Sequence, residues 1–300
     1  LLKERLTHPL KTPEKIERRY EMVEWGRENF KGFEKYLANV PDLIRINRKI
    51  NLGMLSPCDF IGLDIAYSNI LLLLNEVSGI ETPPKEVKEQ LEEFVAYSKT
   101  LFNFEEMCKN VLNPISTNFY NKGIHSDIDQ VSKLITESLD KFEEVRVYLE
   151  KALNKTCKQK GTIQFKKGIN EGYYLELTNK RAKVLFSIIG KYDKFGKIER
   201  SNGTKSATRL TSPLLSQLAF NLTRNIDKQL RLVKDHYVKD LVKIHEKYGD
   251  MFKIIAEYVA ELDVALSCGK TSIIYGYSRP TLVQGETSSV EFEEIRHPLI

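Results

Sequence analysis

One long series of apolar side chains constrains the fold of this chain more than any other feature. The series follows Pro213, and its members recur almost always at intervals of three or four residues. It comprises Leu218, Leu222, Ile226, Leu230, Val233, Tyr237, Leu241, Ile244, Tyr248, Phe252, Ile255, Val259, Leu262 and Leu266. A stripe about fifty residues long corresponds to roughly 75 Å of helix. Because the stripe is narrow, it predicts a helix that packs lengthwise against a partner helix.

A second amphipathic segment, which begins at Ser126, supplies that partner. Its apolar positions are Ile128, Val131, Ile135, Leu139, Phe142, Val145 and Leu149. If this helix leads outward and the later one returns, the two pair antiparallel and the residues between them lie at the tip of the pair. We therefore predict a mainly α fold in which long antiparallel lever helices carry a small inserted β-rich module at their tip.

Residues 1–125 show patterns of medium-length helices instead. Pro13, Pro57 and Pro84 each lie where a helical first turn would begin, a position that proline favours. The apolar positions that follow them recur at helical spacing. This part of the chain is predicted to be a helical core, and its apolar stripes to be packing surface.

The residues between the two long helices differ in pattern. Tyr173, Leu175 and Leu177 alternate with polar neighbours, which is typical of a strand, and glycines mark several turns. An apolar run at residues 184–189 follows and is interpreted as part of the same β module.

This inserted segment also concentrates the positive charge. Residues 161–212 contain eleven basic and four acidic side chains, a net charge of +7, whereas the whole chain carries +5. A compact basic module is typical of contact with a phosphate backbone, and lysine clusters with no helix for the major groove favour sequence-independent binding. A lysine-rich loop region without a ligand, and a surface for an acidic protein or membrane, are the alternatives.

The sequence contains no convincing catalytic or metal-binding motif. Gly269-Lys270-Thr271 resembles the end of a phosphate-binding loop, but the required earlier glycine is replaced by Val264. His236 and His245 lack a zinc-protease context and are expected to be solvated. Four scattered cysteines form no CxxC pair, which argues against a zinc module or disulfide framework and favours a reducing, intracellular setting. We predict no catalytic residue and no metal ligand.

Two further expectations concern the membrane and the ends of the chain. The longest uninterrupted apolar run, residues 70–74, is far shorter than the ~20 residues of a membrane-crossing helix, so no membrane partner is expected. The chain begins at Leu1 and ends just after a strand-like run at 289–295, so we expect it to be part of a longer protein.

Seven segments, in this order and spacing, resemble the core, lever and clamp regions of the MutS family of DNA mismatch-repair ATPases. They are Leu6-Thr7-His8-Pro9-Leu10 with residues 16–19, Pro41-Asp42-Leu43-Ile44-Arg45-Ile46, Ser56-Pro57-Cys58-Asp59-Phe60, Asn170-Glu171-Gly172-Tyr173-Tyr174-Leu175-Glu176-Leu177-Thr178, Ala260-Glu261-Leu262-Asp263-Val264, Tyr277-Ser278-Arg279-Pro280 and Arg296-His297-Pro298-Leu299. The resemblance extends over essentially the whole chain. It implies a helical core at 1–125, an outgoing lever helix at 126–153, a basic clamp at 154–212, a returning lever helix at 213–275 and the start of an ATPase domain at 276–300.

The resemblance also implies a function. The clamp of this family holds double-stranded DNA through its backbone, and the implied DNA-binding residues are Lys180, Arg181, Lys183, Lys191, Lys194, Lys197 and Arg200. Family members are homodimers or heterodimers in which ATP-driven changes move the levers, and they work inside the cell wherever DNA is. The phosphate loop would lie beyond Ile300, so ATP and Mg are expected for that missing domain and no cofactor for this segment.

This segment is therefore expected not to be an enzyme by itself, although the full-length protein would be a DNA-dependent ATPase. The alternative is a structural or protein-interaction module whose coiled-coil arms present a protein-binding head.

Overall fold

Helices dominate the chain, and one small antiparallel sheet is inserted between two of them, which confirms the predicted mainly α fold with a small β-rich module. The computed structural model describes residues 5, 7–156, 163–168, 172–189, 194–201, 206–283, 289–293 and 295. The elements are α1 (Pro13–Leu37), α2 (Leu43–Asn51), α3 (Pro57–Glu76), α4 (Lys85–Leu101), α5 (Phe104–Met107), α6 (Ser126–Thr156), β1 (Gln164–Gly168), β2 (Gly172–Thr178), α7 (Asn179–Ile189), β3 (Glu199–Ser201), β4 (Ala207–Thr211) and α8 (Pro213–Tyr275).

The helix starts follow the local sequence chemistry. Pro13, Pro57 and Pro213 are the first residues of α1, α3 and α8, since proline lacks the N–H that an opening turn would leave unpaired. The first turn of α6 carries Asp127 and Asp129, whose negative charge is favourable at the positive end of the helix dipole. The helix α8 runs for 63 residues, which is longer than its apolar stripe.

The chain forms two compact units, and each is described by itself. The first comprises Leu1–Arg45, Ile65–Glu93 and Tyr248–Ile300. The second comprises Ile46–Asp64 and Phe94–Lys247. The five-part division implied by the sequence is not tested by these boundaries and stays a prediction.

In the first unit, the backbone of α1 packs directly against the backbone of the last part of α8. A Cβ added at Gly26 would lie 2.5 Å from the carbonyl oxygen of Ala265, and one added at Gly269 would lie 2.5 Å from the carbonyl carbon of Gly26. Elsewhere in this unit, the ring of Tyr67 stacks on that of Phe252 with centroids 5.4 Å apart. Gly269 thus serves close helix packing, and Gly269-Lys270-Thr271 lies within α8 and not in a phosphate-binding loop.

In the second unit, six buried rings form what we call the aromatic cluster. Its members are Phe60, Phe94, Phe102, Phe119, Tyr120 and Tyr237. Phe102 is central, with ring centroids 5.2 Å from Phe60, 5.2 Å from Tyr120 and 5.9 Å from Tyr237. Such tilted and edge-on contacts are the arrangements that aromatic rings prefer in protein cores.

Also in the second unit, α6 and α8 pair antiparallel. The amide of Gln229 donates to Ser132 Oγ at 2.6 Å, and His236 Nε2 lies 2.8 Å from Asp127 Oδ2, so the numbering rises along one helix as it falls along the other. The expectation that His236 is solvated is wrong. Its ring is half-buried and stacks on that of His125 with centroids 3.8 Å apart, because the helix pairing brings together two positions far apart in sequence.

The helix α3 is, among the described residues, the one helix long and apolar enough to cross a membrane by length and composition. One such helix is weak evidence, because the core helix of a soluble protein passes the same test. Half of its apolar window is buried within the protein, including Phe60, Leu63 and Ile70.

The run at residues 289–295 is not a strand in its described part, contrary to the sequence pattern. Val290, Phe292 and Ile295 are all exposed. A strand needs a neighbour that pairs with its backbone groups, and none is found for this run among the described residues.

Candidate nucleic-acid interface

A four-stranded antiparallel sheet forms the base of the basic module. The strand order is β1-β2-β4-β3, and Leu175 of β2 lies opposite Leu210 of β4. Because side chains alternate across a strand, Leu175, Leu177 and Leu210 all face the hydrophobic core of the module. Glu176 and Arg209, which are also directly opposite each other, project from the other face of the sheet.

The remaining apolar run of the module forms a helix and not a strand. Residues 184–189 lie in α7, which begins directly after β2 ends at Thr178. Ala182, Leu185 and Ile189 are its buried positions, at the three- and four-residue spacing of one helix face. A short apolar run is compatible with either structure, so the sequence interpretation failed here for lack of a distinguishing period.

The module is fixed to the ends of the antiparallel helix pair through one shared core. The core joins Phe142, Val145, Leu149 and Leu153 of α6, Leu215, Leu218 and Leu222 of α8, and the inward residues of β2, β4 and α7. The sheet and α7 therefore have a defined position on α6 and α8, and so do the basic residues that they carry.

Lys180 and Lys183 are the most available of the predicted DNA-binding residues. Both are exposed, and their spacing of three residues places them on the same outward side of α7, opposite the buried positions. Neither has a carboxylate partner among the residues that the structure describes. We call Lys180 and Lys183 the basic face of α7.

The position of the basic face at the start of α7 strengthens its positive electrostatic potential. Lys180, Arg181 and Lys183 lie in the first turn and a half of α7, and no acidic residue lies in that first turn. The N-terminal end of a helix already carries partial positive charge from its unpaired N–H groups. Cations here add to that field, which favours an anion such as a phosphate. Arg181 is half-buried and has a partner within the protein.

Two further predicted residues are engaged in ion pairs. Lys194 Nζ lies 3.1 Å from Glu144 Oε1 on α6, and Lys197 Nζ lies 2.8 Å from Glu199 Oε1. Hydrogen bonds from Lys141 and then Lys194 lower the pKa of the Glu144 carboxyl, and a hydrogen bond from Lys197 lowers that of Glu199. Exposed pairs of this kind are weak, so both lysines could exchange a carboxylate for a phosphate.

Of the last two predicted residues, Arg200 belongs to the part of the chain that the structure describes. Arg200 is exposed on β3, with its guanidinium carbon 4.7 Å from the ring centroid of Phe186. This cation–π contact holds the side chain over α7 while leaving its N–H donors available. Lys191 lies outside the described residues.

A cleft beside β2 is a feature that the sequence interpretation missed. It has a volume of about 510 Å³ and is lined by Tyr173, Tyr174, Arg209 and Phe220 among others. The guanidinium of Arg209 lies 4.2 Å from the ring centroid of Tyr174. The sequence signal for this cleft was two aromatic residues, Tyr173 and Tyr174, and one basic residue, Arg209. It could not be recognised, because β2 and β4, which carry these residues, become neighbours only in the folded chain.

Comparison with known proteins identifies the family. The model of MutS domain III matches residues 1–268. A putative DNA mismatch repair protein mutS homolog of Acanthamoeba polyphaga mimivirus is 25% identical over 329 residues. The DNA mismatch repair proteins MutS of Petrotoga mobilis and Thermotoga neapolitana are 25% and 24% identical over 312 and 313 residues.

Each of these alignments covers 100% of this chain but only 29%, 35% and 35% of the three relatives, so the chain spans about a third of their length. The domain III match extends through α1 to α7 and most of α8. The chain therefore belongs to the MutS family, and its residues 1–268 correspond to domain III of that family.

Proposed function

We propose that this chain is the core, lever and clamp part of a DNA mismatch repair protein, and that its basic module holds duplex DNA through the phosphates. The observation that carries the proposal is the basic face of α7, where Lys180 and Lys183 are exposed without a carboxylate partner among the described residues. Positive side chains at the positive end of a helix dipole lower the stability of the fold unless an anion neutralises them. A nucleic-acid backbone supplies such an anion, and the relatives are named as DNA repair proteins.

Binding by this surface is expected to be independent of base sequence. The sequence-based reason, that the module has no helix to enter a major groove, does not hold, since α7 is a helix. Another reason replaces it. Lysine acts as a flexible point charge toward phosphate and lacks the planar fork with which arginine reads guanine, so Lys180 and Lys183 suit phosphates better than base edges.

The helix α8 is the element that we propose transmits motion. It is continuous from Pro213 to Tyr275, and its first part is braced along α6, so it resists bending better than a loop would. In the full-length protein, ATP-driven changes in a following domain would move it, with ATP and Mg bound there. The functional form would be a dimer with a second copy or a family relative, inside the cell.

The test of DNA clamping is the salt dependence of duplex binding. Fluorescence anisotropy with two labelled duplexes of unrelated sequence gives the slope of log K against log salt concentration. K180Q/K183Q should lower that slope by about 1.8, because each lost phosphate contact removes about 0.9. The variant should weaken binding equally for both sequences.

The matched control is K85Q/K88Q, which removes two lysines at the same spacing from the first turn of α4. It should leave the slope unchanged. A slope unaffected by K180Q/K183Q, or a loss confined to one of the two sequences, would contradict the proposal. No duplex binding even at low salt would favour a protein-interaction module instead.

A further inference from the structure

Two histidines and two aspartates lie together where α6 begins beside α8, outside the basic module. His125 directly precedes α6, and Asp127 belongs to its first turn. His236 and Asp240 are four residues apart on α8, so both project from the same side of that helix. All four residues belong to the second compact unit. Neither the core packing nor the proposed DNA contacts account for this concentration of imidazole and carboxylate groups.

The donor atoms of three of these residues converge. One ring nitrogen each from His125 and His236 and one carboxylate oxygen of Asp127 lie within 4.8 Å of one another. His236 Nε2 is 2.8 Å from Asp127 Oδ2. We propose that His125, Asp127 and His236 bind a divalent transition-metal ion of the zinc type. The ion would lie between His236 and Asp127 in place of their present direct contact, after a small rotation of the stacked rings.

Asp240 and Tyr120 provide the support that a histidine ligand needs. Asp240 Oδ2 lies 2.9 Å from His125 Nε2, and the hydroxyl of Tyr120 donates to the same oxygen at 2.8 Å. A carboxylate held against one side of an imidazole fixes its orientation, as is usual around metal-binding histidines.

The donor set selects the class of metal. Imidazole nitrogen suits Zn²⁺ and its first-row neighbours, whereas Mg²⁺ and Ca²⁺ prefer oxygen ligands throughout. Two nitrogens and one carboxylate oxygen leave a fourth tetrahedral position for water. The side chains of His125 and His236 are 15% and 25% exposed and that of Asp127 is 46% exposed, so an ion can reach the site from solvent on the Asp127 side.

The consequence would be a cross-link between the start of α6 and the middle of α8. In the unfolded chain residues 125 and 236 are far apart, so the complete site exists only after folding. An ion that binds only the folded state stabilises it. Metal binding here would be independent of DNA binding, because the two sites use different residues.

The experiment uses the tag-free protein after treatment with a chelator and its removal. Added Zn²⁺ should raise the melting temperature and saturate at one equivalent by calorimetric titration, whereas Mg²⁺ should have no effect. Co²⁺ should give a visible absorption band typical of nitrogen coordination, and Zn²⁺ should displace it. The absence of both stoichiometric Zn²⁺ binding and the Co²⁺ band in the unaltered protein would overturn the proposal without any variant.

Variants then locate the site. H236Q and D127N should each weaken Zn²⁺ binding at least tenfold and remove the Co²⁺ band. The control is H245Q, which changes another histidine of α8 outside the cluster and should keep both signals. Binding that survives in H236Q and D127N, or that is lost in H245Q, would place the metal elsewhere and overturn the assignment.

Discussion

The aromatic cluster and the basic face of α7 belong to the same compact unit but are built on opposite principles. In the cluster, Phe102 is only 2% exposed, and its ring partners come from three other segments of the chain. In the basic face, Lys180 and Lys183 are exposed and have no carboxylate partner among the described residues. Folding completes the ring contacts of the cluster, whereas the charges of the two lysines need a ligand.

Because of this difference, we expect the aromatic cluster to determine stability and the basic face to determine DNA affinity. Substitutions in the aromatic cluster should change the free energy of unfolding, because they remove contacts that only the folded chain makes. Substitutions in the basic face should change DNA affinity with little or opposite effect on stability. Variants that break this separation would show that the two regions are energetically linked.

The largest expected effect is that of F102A. Removing a buried phenylalanine ring loses its transfer free energy and leaves a cavity, which costs about 3–5 kcal/mol. Urea denaturation followed by circular dichroism measures it. The control is F220A, whose ring is 66% exposed and whose loss should change stability by less than about 0.5 kcal/mol. Equal costs for the two variants would show that the cluster is not a stabilising core.

The comparison also shows what the sequence could and could not predict. The helix starts at Pro13, Pro57 and Ser126 and the long apolar stripe of α8 depend on local chemistry, so the main helices were predictable. The helix α7 was not, because residues 184–189 are too short a run to show a period. Residue type predicted that lysines would be exposed.

Partners distant in sequence were beyond prediction from one sequence. Lys194 pairs with Glu144 on another helix, and His236 stacks on His125, so neither contact has a local signal. The candidate site was therefore predictable as a region of positive charge. Which of its cations remain available depends on tertiary pairing.

The second prediction concerns the other compact unit, where the backbones of α1 and α8 are in close contact. It tests how much this backbone packing contributes to stability. G269A would place a methyl group against the backbone of Gly26, which has no flexible side chain that could move aside. We expect a loss of about 1–3 kcal/mol in the free energy of unfolding. Thermal and urea denaturation should agree on the sign.

G32A is the matched control for this substitution. Gly32 also lies within a helix, α1, but a Cβ there meets nothing within 4 Å. Since alanine favours helix more than glycine does, G32A should stabilise the protein by about 0.5–1 kcal/mol. If G269A stabilises the protein as G32A does, the contact between α1 and α8 is looser than the structure indicates.

The third prediction concerns the stability of K180Q/K183Q. Cations at a helix N-terminus oppose the dipole, so removing them should stabilise the protein by about 0.3–1 kcal/mol per charge at low salt. The same variant should bind DNA more weakly. The gain should shrink as salt is added, because exposed charges are screened. A loss of stability would show that these lysines make contacts required by the fold.

The smallest expected effect comes from a buried carboxyl group near the aromatic cluster. Asp64 is 4% exposed and accepts a hydrogen bond from Ser98 Oγ at 2.7 Å. Burial raises the pKa of Asp64 above the ordinary value of 3.8, although the bond from Ser98 and the charge of Lys99 oppose the shift. Between the unfolded and folded pKa values the folded state binds more protons, so the stability contributed by this group is present at low pH and is lost as the pH rises.

D64N should remove this pH dependence, because an amide keeps the acceptor oxygen for Ser98 without carrying charge. Melting temperatures of the two proteins should be closest in acid and should separate as the pH rises toward neutrality, with the variant higher by up to about 2 °C. A difference that widens toward acid pH instead would mean that the folded state stabilises the ionised carboxylate. In that case a charged group would be stabilised beside the aromatic cluster, and the contrast between a core completed by apolar packing and a surface that needs a ligand would have to be redrawn.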